Sequence, residues 1–141
     1  MKQSYKGKAV WITGGGSGLG QAMALRYSQL GARVAVSGRR ADRLKETVGE
    51  IERQGGSGLA VSCDVGQEQQ IASAVDQVIK RFGSLDVAVA NAAFPLKGKI
   101  ESLEANDWHR QFEVNVIGAA MTSKHSLPEL RRTKGRLALV G

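Results

Sequence analysis

Val10-Trp11-Ile12-Thr13-Gly14-Gly15-Gly16-Ser17-Gly18-Leu19-Gly20 carries an apolar strand into a glycine-packed turn and from there into a helix. Glycines let a backbone turn sharply and approach a ligand closely. A helix start adds unpaired N–H groups and the positive end of its dipole. A strand–turn–helix of this build is the pyrophosphate seat of doubly wound α/β proteins. The spacing is not G-x-G-x-x-G, because Gln21 stands three residues after Gly18, and no Gly-Lys-Ser/Thr follows to make a P-loop. It reads T-G-x-x-x-G-x-G through Thr13, Gly14, Gly18 and Gly20.

Working outward from this turn, strand and helix signals alternate. Lys8 to Thr13 reads as the first strand, and Leu19, Met23, Tyr27 and Leu30 recur at helical spacing before a closing Gly31. Arg33 to Ser37 is a second strand, and Leu44, Val48 and Ile51 mark a helix ended by Gly55-Gly56. Leu59 to Ser62 is a third strand, and Ile71, Val75, Val78 and Phe82 form a helical stripe stopped by Gly83. Leu85 to Ala90 is apolar on both faces, as a buried parallel strand is. A long helix from Asp107 to about Leu127 follows, with Pro128 expected to break or bend it, and Arg136 to Val140 makes a fifth strand. The series predicts one Rossmann-type dinucleotide-binding domain over residues 1–141, a doubly wound parallel α/β sheet in strand order 3-2-1-4-5. Its ligand belongs at the carboxyl ends of the strands, beside the switch point between strands one and four.

Composition agrees with a globular domain: 42% hydrophobic and 23% charged residues. The apolar runs fall far short of a membrane span, and the first residues lead into a strand rather than a signal sequence. A single Cys63 makes no internal disulfide, in keeping with a reducing cytoplasm. The net charge of +7 raises nucleic acid as a partner, but the charges scatter along helices. The densest run, Arg131-Arg132-Thr133-Lys134-Gly135-Arg136, follows a helix end whose dipole favours cations. His109 and His125 lack metal-ligand spacing and read as surface or packing residues. No nucleic acid, membrane or metal is expected.

The glycine turn resembles that of the short-chain dehydrogenase/reductase family, and the resemblance extends along essentially the whole chain. Thr13, Gly14, Gly16, Ser17, Gly18, Leu19 and Gly20 are then the candidate contacts to a dinucleotide. Strand two ends Val36-Ser37-Gly38-Arg39-Arg40, with two arginines where an NAD site carries Asp or Glu. Guanidinium forks suit a 2′-phosphate, so Ser37, Arg39 and Arg40 favour NADP(H) over NAD(H). The resemblance implies that Asp64, of an Asp64-Val65 pair, accepts a hydrogen bond from the adenine amino group. Asn91-Ala92-Ala93 resembles the family's stretch beside the nicotinamide ribose, with Ala90 and Ala93 departing from its Asn and Gly. Phe94-Pro95 is a candidate wall of the substrate mouth. The helix through Val114-Asn115-Val116 is similar to the one carrying the family's catalytic Asn, which bends the helix and anchors a water of the proton relay; Asn115 takes that position.

Carbonyl reduction by hydride transfer needs a proton donor and a cation to tune it. The family supplies them as a Ser, a Tyr and a Lys that would lie beyond Gly141. Tyr5 and Tyr27 belong to other places in the fold. The chain therefore reads as the N-terminal part of an NADP(H)-dependent enzyme interconverting an alcohol and a carbonyl compound, silent on its own. The alternative is a naturally short nucleotide- or partner-binding module. Two expectations concern surfaces. Strands four and five are each expected to expose one apolar row, including Val87, Val89, Leu137 and Leu139, which would make the isolated chain aggregation-prone. The helix from Trp108 to Leu127 is expected to pair with its copy in a homo-oligomer, as the resemblance implies.

Overall fold

Ala9–Thr13 is buried along its whole length, which is what a strand at the centre of a sheet covered on both faces requires. The computed structural model describes residues 4–141; the lead-in at residues 1–3 lies outside the described residues. In chain order the elements are β1 (Ala9–Thr13), α1 (Gly18–Gln29), β2 (Arg33–Gly38), α2 (Ala41–Arg53), β3 (Ser57–Ser62), α3 (Glu68–Phe82) and β4 (Val87–Ala90). A short 3-10 turn (Ile100–Ser102) precedes α4 (Ala105–Phe112), a π-helical segment (Glu113–Gly118), α5 (Ala119–Thr133) and β5 (Arg136–Leu139). All strand pairings are parallel, in the order β3-β2-β1-β4-β5. The Rossmann-type architecture and strand order read from the sequence are those observed.

Successive strand residues point to opposite faces, and two cores follow. Val10, Ile12, Val34 and Val36 pack with Ala24, Leu44 and Ile51 of α1 and α2. Trp11, Ala35, Val61 and Ala88 pack with Ile71, Val78 and Leu130 of α3 and α5. This division is what right-handed crossovers produce. Each fully buried Val, Ile or Leu contributes about 1.5–3 kcal/mol, so the two layers are the main stabilising term. Gly31 and Gly83, with φ of +94° and +80°, follow α1 and α3 as the sequence predicts.

Four expectations need correction. Leu19 does not belong to the buried stripe of α1: it is exposed, and the buried residues of that helix are Gly20 and Ala24. The long helix begins earlier, at Ala105, because the Asp107 carboxylate reaches back to accept from the Glu104 N–H at 2.8 Å. It also runs past Pro128 to Thr133. Leu130 is buried there, and the Thr133 hydroxyl donates to the Leu85 carbonyl at 2.9 Å. Tertiary packing of that last turn outweighs the cost of about 3 kcal/mol for proline inside a helix. Finally, β4 exposes no apolar row. Val87 and Val89 are buried in the cluster against which Tyr5, Met23 and Tyr27 pack. Of the two strands only β5, at the edge of the sheet, exposes apolar surface: Leu137 is half-buried, Leu139 is exposed, and so is Val140 just past its end.

Candidate functional site

The carboxyl ends of β1, β2, β3 and β4 open onto one cleft of about 200 Å³. Of the predicted residues, Gly14, Gly16 and Ser17 line it from the turn, Arg39 and Arg40 from the end of β2, Asp64 and Val65 from beyond β3, and Ala92 and Ala93 from beyond β4. Gly38, Cys63 and Phe94 complete the rim, while Leu44 and Val114 add apolar surface. Leu44 was legible only as a core residue of α2, and nothing local in the sequence marks Val114. Thr13, Gly18, Leu19, Gly20, Ser37, Asn91 and Asn115 do not line the cleft; most of them build it.

Thr13 and Asn91 tie β1 to β4. The Thr13 hydroxyl accepts from the Asn91 and Ala92 N–H groups, each at 3.0 Å. The Asn91 amide donates to the carbonyls of Thr13 at 3.1 Å and Gly14 at 3.2 Å. The turn is held from the other side by the Thr47 hydroxyl, which donates to the Gly15 carbonyl at 3.0 Å, and by the Gly15 N–H, which donates to the Ser37 carbonyl at 3.1 Å. Gly14 takes a positive φ of +66°, and a Cβ there would stand 2.9 Å from Ala92 Cα. At Gly20 a Cβ would stand 2.0 Å from the Gly14 carbonyl oxygen, so helix and turn touch backbone to backbone. Ser17 is the N-cap of α1, yet its hydroxyl makes no capping bond. The helix start is therefore left polar and uncapped beside the cleft.

Ser37 is fully buried, and its hydroxyl accepts from Trp11 Nε1 at 2.7 Å; it supports the turn from behind instead of facing the cleft. Arg39 and Arg40 are exposed, and neither guanidinium has a side-chain partner among the described residues. Burial pushes the Cys63 thiol up to about 11, with the adjacent Asp64 charge adding to it, so this cleft cysteine stays protonated at neutral pH.

Asn115 sits in the π-helical segment, a wide turn that interrupts regular helix. Its Oδ1 accepts from the Phe94 N–H at 2.7 Å and its Nδ2 donates to the Phe94 carbonyl at 3.2 Å. The side chain thus clamps the backbone beyond β4. Replacing Asn115 with Ala leaves both Phe94 groups unpaired, and thermal melts should record a loss of about 1–3 kcal/mol. An unchanged melting temperature would show that the clamp carries no weight. Further back, Arg110 donates to Glu113 Oε2 at 2.7 Å and pairs with Asp64 at 3.3 Å. The Glu113 hydrogen bond, with the Asp64 charge behind it, raises the guanidinium above its usual value.

A parallel α/β sheet whose cleft lies at the β1/β4 switch point, floored by a glycine turn, defines a nucleotide-binding class of domain. The family model described as short chain dehydrogenase matches residues 8–141, and the chain belongs to that family. It is 33% identical over 133 residues to the 7alpha-hydroxysteroid dehydrogenase of Escherichia coli K12, covering 94% of this chain and 52% of that protein. A short-chain type dehydrogenase/reductase from Mycobacterium marinum superposes with a TM-score of 0.92 at 30% identity, over 97% of this chain and 56% of the other. An alcohol dehydrogenase from Thermococcus sibiricus, complexed with 5-hydroxy-NADP, does so at 0.89 and 32%, over 94% and 57%. The chain spans about half the length of the curated relatives it matches.

Proposed function

We propose that residues 1–141 are the cofactor-binding part of an oxidoreductase that interconverts an alcohol and a carbonyl compound, with NADP(H) favoured over NAD(H). The observation that carries this reading is the pairing of the glycine turn with Arg39 and Arg40, two cleft guanidiniums free of carboxylate partners. A 2′-phosphate would meet two forks of donors there, where an NAD-type site would present a carboxylate. The uncapped start of α1 and the Ser17 hydroxyl suit a pyrophosphate, Gly14 and Gly16 line the cleft beside it, Gly20 lets helix and turn touch, and Gly18 and Leu19 are proposed as further backbone contacts. Asp64 and Val65 suit the adenine, and Ala92 and Ala93 the nicotinamide ribose, braced by Asn91. Asn115 acts as a positioning residue, holding Phe94 at the wall of the cleft.

A bound nicotinamide dinucleotide supplies the hydride chemistry; these residues bind and orient it. The names of the relatives, a hydroxysteroid dehydrogenase and an alcohol dehydrogenase, support a small alcohol or carbonyl substrate. Residues 1–141 contain no Tyr-x-x-x-Lys, so this chain is proposed to turn over no substrate by itself. Trp108, Phe112, Val116 and Ile117 lie exposed along α4 and the π-helical segment, and this face is proposed to pair with a second copy. Among the described residues no helix is long and apolar enough to cross a membrane. A reducing compartment such as the cytoplasm suits the unpaired Cys63.

Titrating NADPH and NADH against the protein by calorimetry tests the reading. NADPH should bind about tenfold more tightly or better, the worth of a charge-assisted hydrogen bond, and Arg39→Asp should reverse the order. Equal affinities in the parent protein would overturn the NADP(H) assignment, and no binding of either would overturn the cofactor reading itself.

A further inference from the structure

Asp64 does not face the cleft as an isolated carboxylate. Its Oδ1 accepts from the Gly66 N–H at 2.9 Å. Arg110, from the last turn of α4, brings Nη2 to 3.3 Å from Oδ2 and 3.5 Å from Oδ1. The same guanidinium donates through Nη1 to Glu113 at 2.7 Å and lies 5.9 Å from the centre of the Phe94 ring. One side chain thus joins three segments that meet at the cleft: the loop after β3, the loop after β4 and the π-helical turn. The pair is partly shielded, with Arg110 26% and Asp64 23% exposed, so it is screened less than a surface ion pair. Gly66 supplies independent support. A Cβ there would stand 2.8 Å from Arg110 Nη1 and 3.1 Å from Asp64 Oδ1. Its φ is ordinary, so it is the space needed by the guanidinium that glycine provides at this position.

We propose that Arg110 is a positioning residue for purine recognition: it fixes the Asp64 carboxylate so that Oδ2 keeps a lone pair for an amino hydrogen of the base. The inference rests on the reading that the adenine end of the dinucleotide lies at Asp64. An ionised carboxylate only accepts hydrogen bonds. It therefore attracts a 6-amino purine and repels a 6-oxo purine, and that preference lasts only while the carboxylate is held in place and charged. Arg110 holds it in place, by two contacts to the carboxylate.

The test compares NADPH with its hypoxanthine analogue, in which the 6-amino group is replaced by oxygen, by calorimetric titration of the protein. The parent should prefer NADPH about tenfold. Arg110→Met, which keeps the packing stem and removes the donors, should bring that ratio within about threefold. Gly66→Ala, which crowds the guanidinium and the Asp64 carboxylate without deleting either, should also lower it, and Arg110→Lys should retain part of the preference. The NADPH-to-NADH ratio, assigned to Arg39 and Arg40, should stay unchanged in all three. A merely structural loss would weaken every dinucleotide alike and leave the base ratio intact. A parent preference that survives both Arg110→Met and Gly66→Ala overturns the proposal alone. A parent without preference overturns the adenine reading and this proposal with it.

Discussion

Gly20→Ala should destabilise the protein by about 3 kcal/mol and abolish dinucleotide binding. The added methyl would stand 2.0 Å from the Gly14 carbonyl oxygen, 2.6 Å from Asn91 Nδ2 and 2.8 Å from Gly14 C. Two of those three atoms, the nearest included, are backbone, so a shift of the Asn91 side chain would not relieve the clash. Helix α1 must move off the turn, and the bond from Asn91 to Gly14 that ties β4 to β1 goes with it. Gly18→Ala is the control. Gly18, unlike Gly20, has a positive φ, +52°, and nothing lies within 4 Å of its added Cβ. Backbone strain alone, on the order of 1–2 kcal/mol, is expected there. For a domain of this size the first change lowers the melting temperature by roughly 10 °C and the second by roughly a third to two thirds of that. Equal shifts, or a larger one for Gly18→Ala, would refute the close-contact account.

What the sequence made legible is what is decided locally. Thr13, Gly14, Gly18 and Gly20 announce a turn because their spacing is itself the geometry, and the strand before and the helix after supply the context. Alternation of strand and helix signals leaves few topologies once crossovers are right-handed, so the order of five strands followed. Arg39 and Arg40 could be read as cleft residues for the same reason: strand two must end at the ligand side of the sheet.

The remainder depended on partners far along the chain. Ser37 sits at the ligand end of β2, yet a tryptophan 26 residues away claims its hydroxyl. Leu19 matched a helical stripe by spacing, but the helix meets the turn through Gly20, which turns its neighbour outward. Pro128 read as a break or bend after about Leu127, because a single sequence does not display the buried Leu130 and the Thr133 bond that hold the last turn. The π-helical turn around Asn115 has no local signature, and the Arg110–Asp64 pair joins residues 46 apart. Val87 and Val89 looked bare because strand alternation gives two faces but not which neighbours cover them.

Trp11→Ala should be the most damaging single change in the core, costing about 3–5 kcal/mol out of a total stability of about 5–15 kcal/mol. Trp11 is fully buried on β1, two residues before Thr13, and is among the largest of the fully buried side chains. Its loss opens a cavity between the sheet and α3 and strips the buried Ser37 hydroxyl of its donor. Because β1 carries the turn at its end, damage to this core reaches the cleft without touching a ligand contact. Trp11→Phe separates the two contributions: most of the apolar volume remains, the indole N–H is gone, and about 1–3 kcal/mol should be lost. Ser37→Ala leaves the indole N–H buried and unpaired, with a loss in the same range. The double variant removes both ends of the bond, so its loss should fall short of the sum of the two single losses. Thermal melts of the four proteins, with and without NADPH, measure this cycle. Saturating NADPH at a hundredfold its Kd should return about 2.7 kcal/mol to each variant that still folds. Strict additivity of the two single changes would show that the Trp11–Ser37 bond makes no contribution of its own.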